Sequence, residues 1–344
     1  MSATFWADIL TKLVRGEDLD DPTATSVMNR IMAGEATPVQ IAGFLMALRA
    51  KGETVEEITG LVRGMREFAL HVDTDGPVLD TCGTGGDRAG TFNVSTVAAV
   101  VAAAAGATVA KHGNRAASGR CGSADLLEAW GVAIELTPAG VKACIAEVGI
   151  GFCYAPAFHP AMRHAGVARR ELGVPTVFNF LGPLTNPAGA QHQTIGVSDG
   201  AMATKMAEVL ARVGTTHAFV FHGADGLDEL TTTGPSTLWE VRDGEVTRSQ
   251  FDPLDVGFER ATVADLAGGE LADNVRVADA VLAGERGAPR DIVVLGAAAA
   301  LRAADIADGW EAGIAAAEQA LDSGAAKELV TRWVTTSQQQ AAAV

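Results

Sequence analysis

One stretch of the sequence, residues 79–115, restricts the possible fold more than any other. The apolar residues that end at Leu79 predict a strand. A loop follows it, with glycines at positions 83, 85, 86 and 90. An alanine- and valine-rich helix then stops at Gly106, and residues 108–111 predict the next strand. Strand, loop, helix and strand in this order indicate an α/β unit.

The loop of this unit has the composition of a phosphate site. Glycines let backbone N–H groups approach a ligand closely, and the helix start, with Asn93 and Ser95 as capping residues, carries partial positive charge. Arg88 stands where a dinucleotide-binding G-x-G-x-x-G motif from Gly83 requires its last glycine, and no Gly-Lys-Ser/Thr closes a P-loop. The sequence therefore predicts a phosphate-binding loop of another type.

Polar residues cluster directly after the second predicted strand. Lys111, His112, Asn114 and Arg115 lie where open α/β sheets bind their ligands. A lysine supplies a mobile positive charge for a phosphate, and the amide of Asn114 both donates and accepts hydrogen bonds. Small polar residues continue this loop up to a helix at 124–130. We interpret the cluster as one side of a binding site.

Composition and charge disfavour several classes of protein. The chain has 344 residues and a formal net charge of −16, which disfavours a nucleic-acid partner because binding a phosphate backbone needs a basic surface. No apolar run has the length and lack of charge of a membrane span, and the first residues show no secretion signal, so we expect a cytoplasmic protein. The four cysteines lack zinc-binding spacing, and we expect reduced thiols.

The first part of the chain differs in pattern from the rest. Residues 4–70 predict helices without any strand signal, the fourth opened by a capping box of Thr54 and Glu57. Beyond residue 73, strand and helix patterns alternate. Strands are predicted at 132–135, 150–154, 193–197 and 217–222, a hairpin at 238–247 with an Asp243-Gly244 turn, helices at 160–172, 202–213, 291–304 and 310–322, and a frayed polar tail at 335–344.

Two further groups of charged residues are candidates for binding a ligand or a metal ion. The helix at 160–172 concentrates Arg163, His164, Arg169 and Arg170 in an acidic chain, which favours a carboxylate-binding wall over a solvated face. Asp228-Glu229 follow the predicted strand at 217–222, amid glycines and threonines. Adjacent carboxylates at such a place are suited to Mg²⁺, which prefers carboxylates together with phosphate oxygens of a substrate.

Four motifs together resemble a known family. GTGGD at 83–87, NVST at 93–96, KHGNR at 111–115 and GSAD at 122–125 are similar to motifs of anthranilate phosphoribosyltransferase, and later motifs extend the resemblance over almost the whole chain. It implies transfer of the phosphoribosyl group from phosphoribosyl pyrophosphate (PRPP) to the amine of anthranilate. The products are N-(5-phosphoribosyl)anthranilate and pyrophosphate, in the second step of tryptophan biosynthesis from chorismate.

The resemblance also implies an architecture. The α/β fold would be of the nucleoside phosphorylase/phosphoribosyltransferase type, with a small all-helical domain and a large α/β domain built on a mostly parallel central sheet. Residues 1–72, joined by helices from about 160–185, would form the helical domain, and residues 73–344 the glycosyltransferase domain. The active site would lie in the cleft between them, and the chain would form a homodimer through its helical domains.

The resemblance assigns roles residue by residue. Two Mg²⁺ ions, brought with PRPP, would be held by Ser95, Asp228 and Glu229. Anthranilate would be bound by Gly83, Asn114, Arg169 and His112. No catalytic residue is assigned firmly, because an aromatic amine needs no strong base, and His112 is the one candidate. PRPP would be bound by Gly83, Gly86, Asp87, Thr91, Asn93, Val94, Ser95, Thr96, Lys111, Gly119 and Ser123.

Departures from the family pattern are mild. Ala116, Gly119 and Cys121 stand where small polar residues are expected, which puts a side-chain role at these positions in doubt. Two alternative functions are open: a pyrimidine nucleoside phosphorylase-like enzyme and a non-catalytic relative that binds nucleic acid. The acid pair Asp228-Glu229 disfavours the first, and the net charge disfavours the second.

Overall fold

The structure is a computed structural model that describes residues 4–116 and 120–343. Its first part is a helical unit whose helices pack around apolar side chains such as Phe44 and Leu45. Helix α9, from later in the chain, packs against α2 and α3 of this unit. The helices that precede the sheet are α1 (Phe5–Val14), α2 (Asp21–Met32), α3 (Pro38–Lys51) and α4 (Val55–Glu67), and α9 spans Arg163–Leu172.

Side-chain caps fix where these helices begin. Thr37 and Thr54 each accept a hydrogen bond from the backbone three residues on, and Gln40 and Glu57 return one, so both form capping boxes. The carboxylate of Asp20 accepts a hydrogen bond from the backbone of Thr23 and caps α2, which therefore begins at Asp21.

Within the described residues, the strands form one seven-stranded sheet in the order β3-β2-β1-β4-β5-β6-β7. The first five in this order pair parallel, and β6 and β7 pair antiparallel. The carboxyl ends of the parallel strands therefore meet at one edge, which is where ligands of open α/β sheets bind. The strands are β1 (Leu79–Gly83), β2 (Val109–Gly113), β3 (Ile150–Tyr154), β4 (His192–Gly196), β5 (His217–Gly223), β6 (Ser236–Arg242) and β7 (Glu245–Phe251).

Helices cover both faces of the sheet. Small side chains let α5, α13 and α14 pack closely: a Cβ on Gly296 would lie 3.4 Å from the Cβ of Ala98, and one on Gly313 would lie 3.0 Å from the carbonyl oxygen of Ala298. The high alanine content of the chain serves this packing. The remaining helices are α5 (Val94–Ala104), α6 (Ser123–Ala129), α7 (Pro138–Val148), α8 (Ala155–Phe158), α10 (Phe178–Leu181), α11 (Gly200–Arg212), α12 (Leu271–Leu282), α13 (Ala288–Ala303), α14 (Trp310–Asp322) and α15 (Ala325–Ala342).

The predicted hairpin is confirmed, with Asp243 and Gly244 as its two central residues at φ of 52° and 84°. Two positive φ values in succession are typical of the tight turn that matches the twist of antiparallel strands. The outer strand β7 is largely exposed and carries polar side chains, whereas β3 at the opposite edge is buried.

Two predicted elements are wrong. Residues 132–135 are not a strand, although Val132 and Ile134 are buried, because this segment pairs with no neighbouring strand in the described sheet. The tail is not frayed, because α15 continues to Ala342, and the hydroxyl of Ser337 accepts a hydrogen bond from the backbone of Ala133 at 3.0 Å. The packing of α15 on α7 stabilises the end of this helix, which its polar sequence alone does not predict.

No helix among the described residues has the length and apolar character needed to cross a membrane.

Glu57 connects three parts of the helical unit. Its side chain, which is 1% exposed, accepts hydrogen bonds from the backbone of Leu19 at 3.0 Å and of Thr54 at 2.8 Å, and it pairs with Lys51 at 3.0 Å. The loop before α2 and the start of α4 are thereby held to the end of α3.

We expect Glu57→Ala to lower the free energy of unfolding by about 3 kcal/mol, because it leaves buried donors without an acceptor. Glu56→Ala is the matched control, since Glu56 is exposed and should cost less than about 0.5 kcal/mol. Urea denaturation measures both values. Equal losses in the two variants would show that the buried contacts of Glu57 do not hold the helical unit.

Candidate active site

The glycine-rich loop follows β1 at the carboxyl edge of the sheet. Gly85, Gly86 and Gly90 have φ of 67°, 88° and 68°, and Arg88 has 59°. Glycine adopts this left-handed conformation without steric cost, so the loop can turn repeatedly within a few residues. The backbone N–H of Gly85 donates to the Asp228 carboxylate at 2.6 Å. The loop therefore lies directly against the acid pair predicted from the sequence.

Glycines at the strand ends make this contact possible. A Cβ on Gly83, at the end of β1, would overlap the carboxylate of Asp228. A Cβ on Gly196, at the end of β4, would overlap the backbone carbonyl of Asp228. The loop after β5 consequently packs onto the ends of two neighbouring strands, and Asp228 is buried between them.

Three carboxylates gather at this point. Burial, and then the charge of Asp87, raise the pKa of Asp228 to about 7. Burial, and then the charges of Asp228 and Asp87, raise the pKa of Glu229 well above its ordinary value. One carboxylate oxygen of Asp87, Oδ2, is buried without a hydrogen-bond partner among the described residues. Such crowding of like charges favours the binding of a cation.

The chemistry of these residues fits Mg²⁺ shared with a substrate. Within the described part of the chain, no set of three or more His, Cys, Asp or Glu side chains could hold a metal ion by itself. Mg²⁺ binds to one or two carboxylates and completes its coordination with water and substrate phosphates, so an incomplete set of hard oxygen donors suits it. Ser95 is near this pair, because its backbone amide opposes the upward shift in the pKa of Glu229.

The start of helix α5 differs from the prediction. Asn93 occupies the capping position, but its side chain does not cap the helix. Its amide nitrogen Nδ2 instead donates to Cys121 Sγ at 3.1 Å and to Asn274 Oδ1 at 3.2 Å. Close to it, Val94 is buried, and the hydroxyl of Thr96 is buried without a hydrogen-bond partner among the described residues.

Thr91 and Gly86 flank this region on the loop side. Thr91 forms an isolated bridge with Ala267, which connects the loop to the segment before α12. A Cβ on Gly86 would lie 3.7 Å from Ser198 Oγ, and this hydroxyl donates to the carbonyl of Gly85 at 2.8 Å. The sequence gives no reason to single out Ser198, which comes to the loop only because β1 and β4 are neighbours.

Lys111 is placed differently from the mobile, solvent-facing charge that the sequence predicts. Its side chain is 1% exposed, and Nζ donates to the carbonyl of Thr81 at 2.6 Å. Burial lowers the pKa of Lys111, while the charges of Asp80 and Glu229 act in the opposite direction. The ammonium therefore lies beneath the site, beside the acid pair.

Asp80 is a buried residue that sequence reasoning missed. Its carboxylate accepts hydrogen bonds from the backbone of His112 at 3.0 Å and from Asn186 Nδ2 at 2.8 Å. Burial raises the pKa of Asp80, and the charge of Lys111 opposes this shift. Asn186 also donates to the carbonyl of Ala110 at 2.8 Å. Asp80 thus joins β1, β2 and the segment after α10, and only the fold reveals this arrangement.

His112 is held in one tautomer. Its Nδ1 lies 3.1 Å from the carbonyl of Gly182, which can only accept, so Nδ1 carries the proton. Nε2 is then an acceptor, and among the described residues it has no partner. Burial lowers the pKa of His112 to about 4 and that of His159, whose ring centre is 5.1 Å away, to about 3. Both rings are therefore neutral near pH 7.

The end of the KHGNR motif connects to α6. The carbonyl of Asn114 accepts from the hydroxyl of Ser123 at 3.2 Å, and a Cβ on Gly113 would overlap this hydroxyl. Arg115, predicted within the binding cluster, pairs instead with Asp125 and Glu128. Gly119, predicted to bind PRPP, lies outside the described residues.

Arg169 is the most distinctive residue of the basic helix. Its guanidinium is half-buried, lies 5.3 Å from the ring centre of Phe178, and forms no ion pair with the described residues. Burial lowers the pKa of Arg169. In the same helix Arg163 and Arg170 are exposed, so the four predicted basic residues do not act as one wall. Phe178 and the Gly182 that contacts His112 belong to one short segment, which brings the arginine and histidine regions together.

Family models match both parts of the chain. The helical bundle domain of a glycosyl transferase family matches residues 7–69, and its a/b domain matches residues 75–327. Anthranilate phosphoribosyltransferase of Chloroflexus aggregans is 54% identical over 336 residues, covering 97% of this chain and 99% of that protein. The Arthrobacter sp. enzyme of the same name is 52% identical, with coverage of 96% and 95%.

Solved structures with the same name share the fold. The crystal structure of anthranilate phosphoribosyltransferase from Thermus thermophilus has a TM-score of 0.91 and 46% identity, covering 96% of this chain and 99% of its own. The Saccharomyces cerevisiae enzyme in complex with PRPP and Mg has a TM-score of 0.90 and 27% identity, covering 98% and 99%. The latter enzyme in complex with 4-fluoroanthranilate has a TM-score of 0.88 and 26% identity, covering 98% and 99%.

The two buried histidines predict a pH dependence of stability. Below about pH 6.5 the unfolded chain protonates them, whereas the folded chain does so only near pH 4 for His112 and pH 3 for His159. Each should therefore lower the free energy of unfolding as pH falls from 6.5 to 4, with a slope approaching about 1.4 kcal/mol per pH unit.

Carboxylates also titrate in this range, so the difference between variants is the quantity to measure. His159→Gln should flatten the pH profile of the free energy of unfolding relative to the unaltered chain, because it removes one of the two buried neutral histidines. Urea titrations at half-unit steps between pH 4 and 7 measure the slopes. Parallel profiles for the unaltered chain and His159→Gln would contradict the neutral, buried state of this histidine.

Proposed function

The chain belongs to the anthranilate phosphoribosyltransferase family, and we propose that its active site is the carboxyl edge of β1, β2 and β5. The reaction of this family moves the phosphoribosyl group of PRPP onto the amine of anthranilate and releases pyrophosphate. The main support for this site is the crowding of Asp87, Asp228 and Glu229 beside a glycine loop and a helix start. A polyphosphate that binds together with a cation needs carboxylates for the cation and, next to them, backbone N–H groups for the phosphates.

PRPP would bind across the loop and the start of α5. The backbone N–H groups of the loop and the positive end of the helix dipole would interact favourably with the negatively charged phosphates. The buried hydroxyl of Thr96, which lacks a protein partner among the described residues, is a further donor. Lys111 would contribute its charge from beneath the loop. The residues that we propose for PRPP are Gly83, Gly86, Asp87, Thr91, Asn93, Val94, Ser95, Thr96, Lys111, Gly119 and Ser123.

Asp228, Glu229 and Ser95 would hold Mg²⁺. The chain has a formal net charge of −16, so a polyanionic substrate requires local compensation. When bound, Mg²⁺ would supply positive charge that offsets the charge of the leaving pyrophosphate. The complex of the yeast relative with PRPP and Mg supports the metal, and we propose two ions for this chain.

Anthranilate would be bound by Asn114, Arg169, His112 and the backbone of Gly83. Arg169 offers a half-buried guanidinium without an acidic partner among the described residues, which suits a carboxylate ligand. His112 presents an unprotonated Nε2, which accepts a proton-bearing group such as an amine. The complex of the yeast relative with 4-fluoroanthranilate supports this class of ligand.

The reaction follows from these placements. The bond between C1 of the ribose and the pyrophosphate oxygen breaks, a bond from the anthranilate nitrogen to C1 forms, and the nitrogen loses a proton. The site stabilises the charge that develops on pyrophosphate and holds the neutral amine close to C1. A strong base is not required, and the low pKa of His112 is consistent with a hydrogen-bond acceptor that receives the proton only transiently.

We propose that residues 1–72, with the helices at about 160–185, act as one domain and residues 73–344 as the other, with the site in the cleft between them. We also propose a cytoplasmic location, which the four free cysteine thiols support, because thiols stay reduced there.

A homodimer would use the helical unit, where Val14 of α1 and Val39 of α3 are 79% and 81% exposed and the two helices are in contact.

The assay that tests the function follows the loss of anthranilate fluorescence on addition of PRPP and Mg²⁺. Arg169→Ala should raise the KM for anthranilate roughly 10- to 100-fold, as expected for the loss of a charge-assisted hydrogen bond, and leave the KM for PRPP nearly unchanged. Arg170→Ala, at the exposed neighbouring position, is the matched control. No loss of fluorescence at any Mg²⁺ concentration would contradict the function, and equal effects of both variants would contradict the role of Arg169.

The dimer is tested separately. Val14→Glu combined with Val39→Glu should convert a dimer of about twice the 35.3 kDa chain mass into a monomer, because charges on an apolar interface are costly to bury. Size-exclusion chromatography with light scattering measures the mass. Leu254→Glu, at a position that is 53% exposed outside the helical unit, should leave the dimer intact. A monomeric unaltered chain, or a double variant that stays dimeric, would overturn the proposed interface.

A further inference from the structure

We propose that Asn274 is a positioning residue that fixes the orientation of the Asn93 amide, so that Asn93 offers only its carbonyl oxygen to PRPP. This inference rests on the proposed function and specifies one contact within it. An acceptor at this position recognises a hydroxyl group of the ribose, since phosphate oxygens near neutral pH do not donate hydrogen bonds.

Asn274 lies in α12, far from the glycine loop in sequence, and is 2% exposed. Its Oδ1 accepts two hydrogen bonds from Asn93, one from the backbone N–H at 3.0 Å and one from Nδ2 at 3.2 Å. The fit around it is close, because a Cβ on Gly268 would lie 2.6 Å from Asn274 Nδ2 and 2.6 Å from the Cα of Phe92.

The segment before α12 supports the same region of the loop. The backbone N–H of Gly268 donates to the carbonyl of Gly90 at 2.8 Å, and that of Phe92 donates to the carbonyl of Leu266 at 3.0 Å. These bonds hold residues 90–93 and 266–274 in a fixed relation. Asn274 can therefore act on Asn93 without moving the loop as a whole.

The orientation of both amides follows from one donor of known identity. A backbone N–H can only donate, so the atom of Asn274 that faces the Asn93 backbone must be the carbonyl oxygen. The Asn93 side-chain atom facing the same oxygen must then be its nitrogen. Cys121 Sγ, at 3.1 Å, receives the second N–H of this nitrogen.

Both side-chain donors of Asn93 are therefore used inside the protein. Its remaining polar atom is Oδ1, for which the described residues provide no donor. The bonds of Nδ2 fix the orientation of the amide, which explains why Asn93 does not cap α5. We infer that the free Oδ1 binds a ligand. Without the acceptor on Asn274, the Asn93 amide could rotate by half a turn and present N–H groups to the sugar hydroxyl instead.

The test compares PRPP and anthranilate kinetics in three variants. Asn274→Leu removes the acceptor but keeps the branching of the side chain, and it should raise the KM for PRPP about tenfold, the scale of one hydrogen bond, with the KM for anthranilate within about twofold. Asn274→Asp keeps an acceptor oxygen and should stay within about threefold of the unaltered chain. Asp279→Asn is the control on the same helix and should change neither KM, because the Asp279 carboxylate accepts a hydrogen bond from Trp130 Nε1 at 2.9 Å and from no other described residue.

A double-mutant cycle separates positioning from general support of the fold. If Asn274 acts through Asn93, Asn274→Leu should have less than about a twofold effect on the PRPP KM in an Asn93→Ala background. An equal factor in both backgrounds, equal losses for both substrates, or an Asn274→Asp variant as impaired as Asn274→Leu would each overturn the proposal.

Calorimetry distinguishes failure of this inference from failure of the proposed function. It measures binding of PRPP with Mg²⁺ in the absence of anthranilate. Binding by the unaltered chain that weakens about tenfold in Asn274→Leu supports the inference even without turnover. Binding that is equal in both chains overturns the inference and leaves the transferase function untouched, whereas absence of both binding and turnover in the unaltered chain would refute the function itself and the inference with it.

Discussion

The contact between Asp228 and the strand-end glycines is the constraint on which the site depends. Gly83 and Gly196 leave no room for a side chain, because the loop after β5 occupies that space. This packing brings the acid pair to the glycine loop, and the hydrogen bond from Gly85 to Asp228 fixes their relation. A larger residue at either strand end would separate the carboxylates from the helix start. The proposed site for phosphate and cation would thus depend on backbone packing as well as on its polar side chains.

The electrostatics of the site reconcile an acidic chain with a polyanionic substrate. Burial and the neighbouring carboxylates raise the pKa of Asp228 and of Glu229, so their ionised forms are unfavourable without a nearby cation. A divalent ion held by these residues would stabilise the ionised carboxylates and supply positive charge to the phosphates, so binding of substrate and metal would be coupled. Arg169, in contrast, would provide a fixed positive charge for the single carboxylate of the other proposed substrate.

Sequence reasoning predicts those features that local chemistry determines. The glycine loop, the acid pair after β5 and the Asp243-Gly244 hairpin depend on residue types at short spacing, and the structure contains them where they are predicted. Prediction from the sequence fails where the surroundings of a residue are formed by segments that are distant along the chain. The carboxylate of Asp80 and the amide of Asn274 gain their roles from neighbours more than 100 residues away, as does the order of the polar tail. The inward position of Lys111 likewise depends on the strand beside it.

The two edges of the sheet have opposite character. β3 is buried along its whole length, so its outer backbone groups are covered by the chain itself. β7 is open but carries Glu245 and Arg248 among other polar residues, and strands of this kind discourage pairing with a second sheet. Neither edge strand therefore favours pairing with a strand of a second molecule. Both edges therefore disfavour strand-mediated aggregation, which leaves the helices as the surfaces for the proposed dimer.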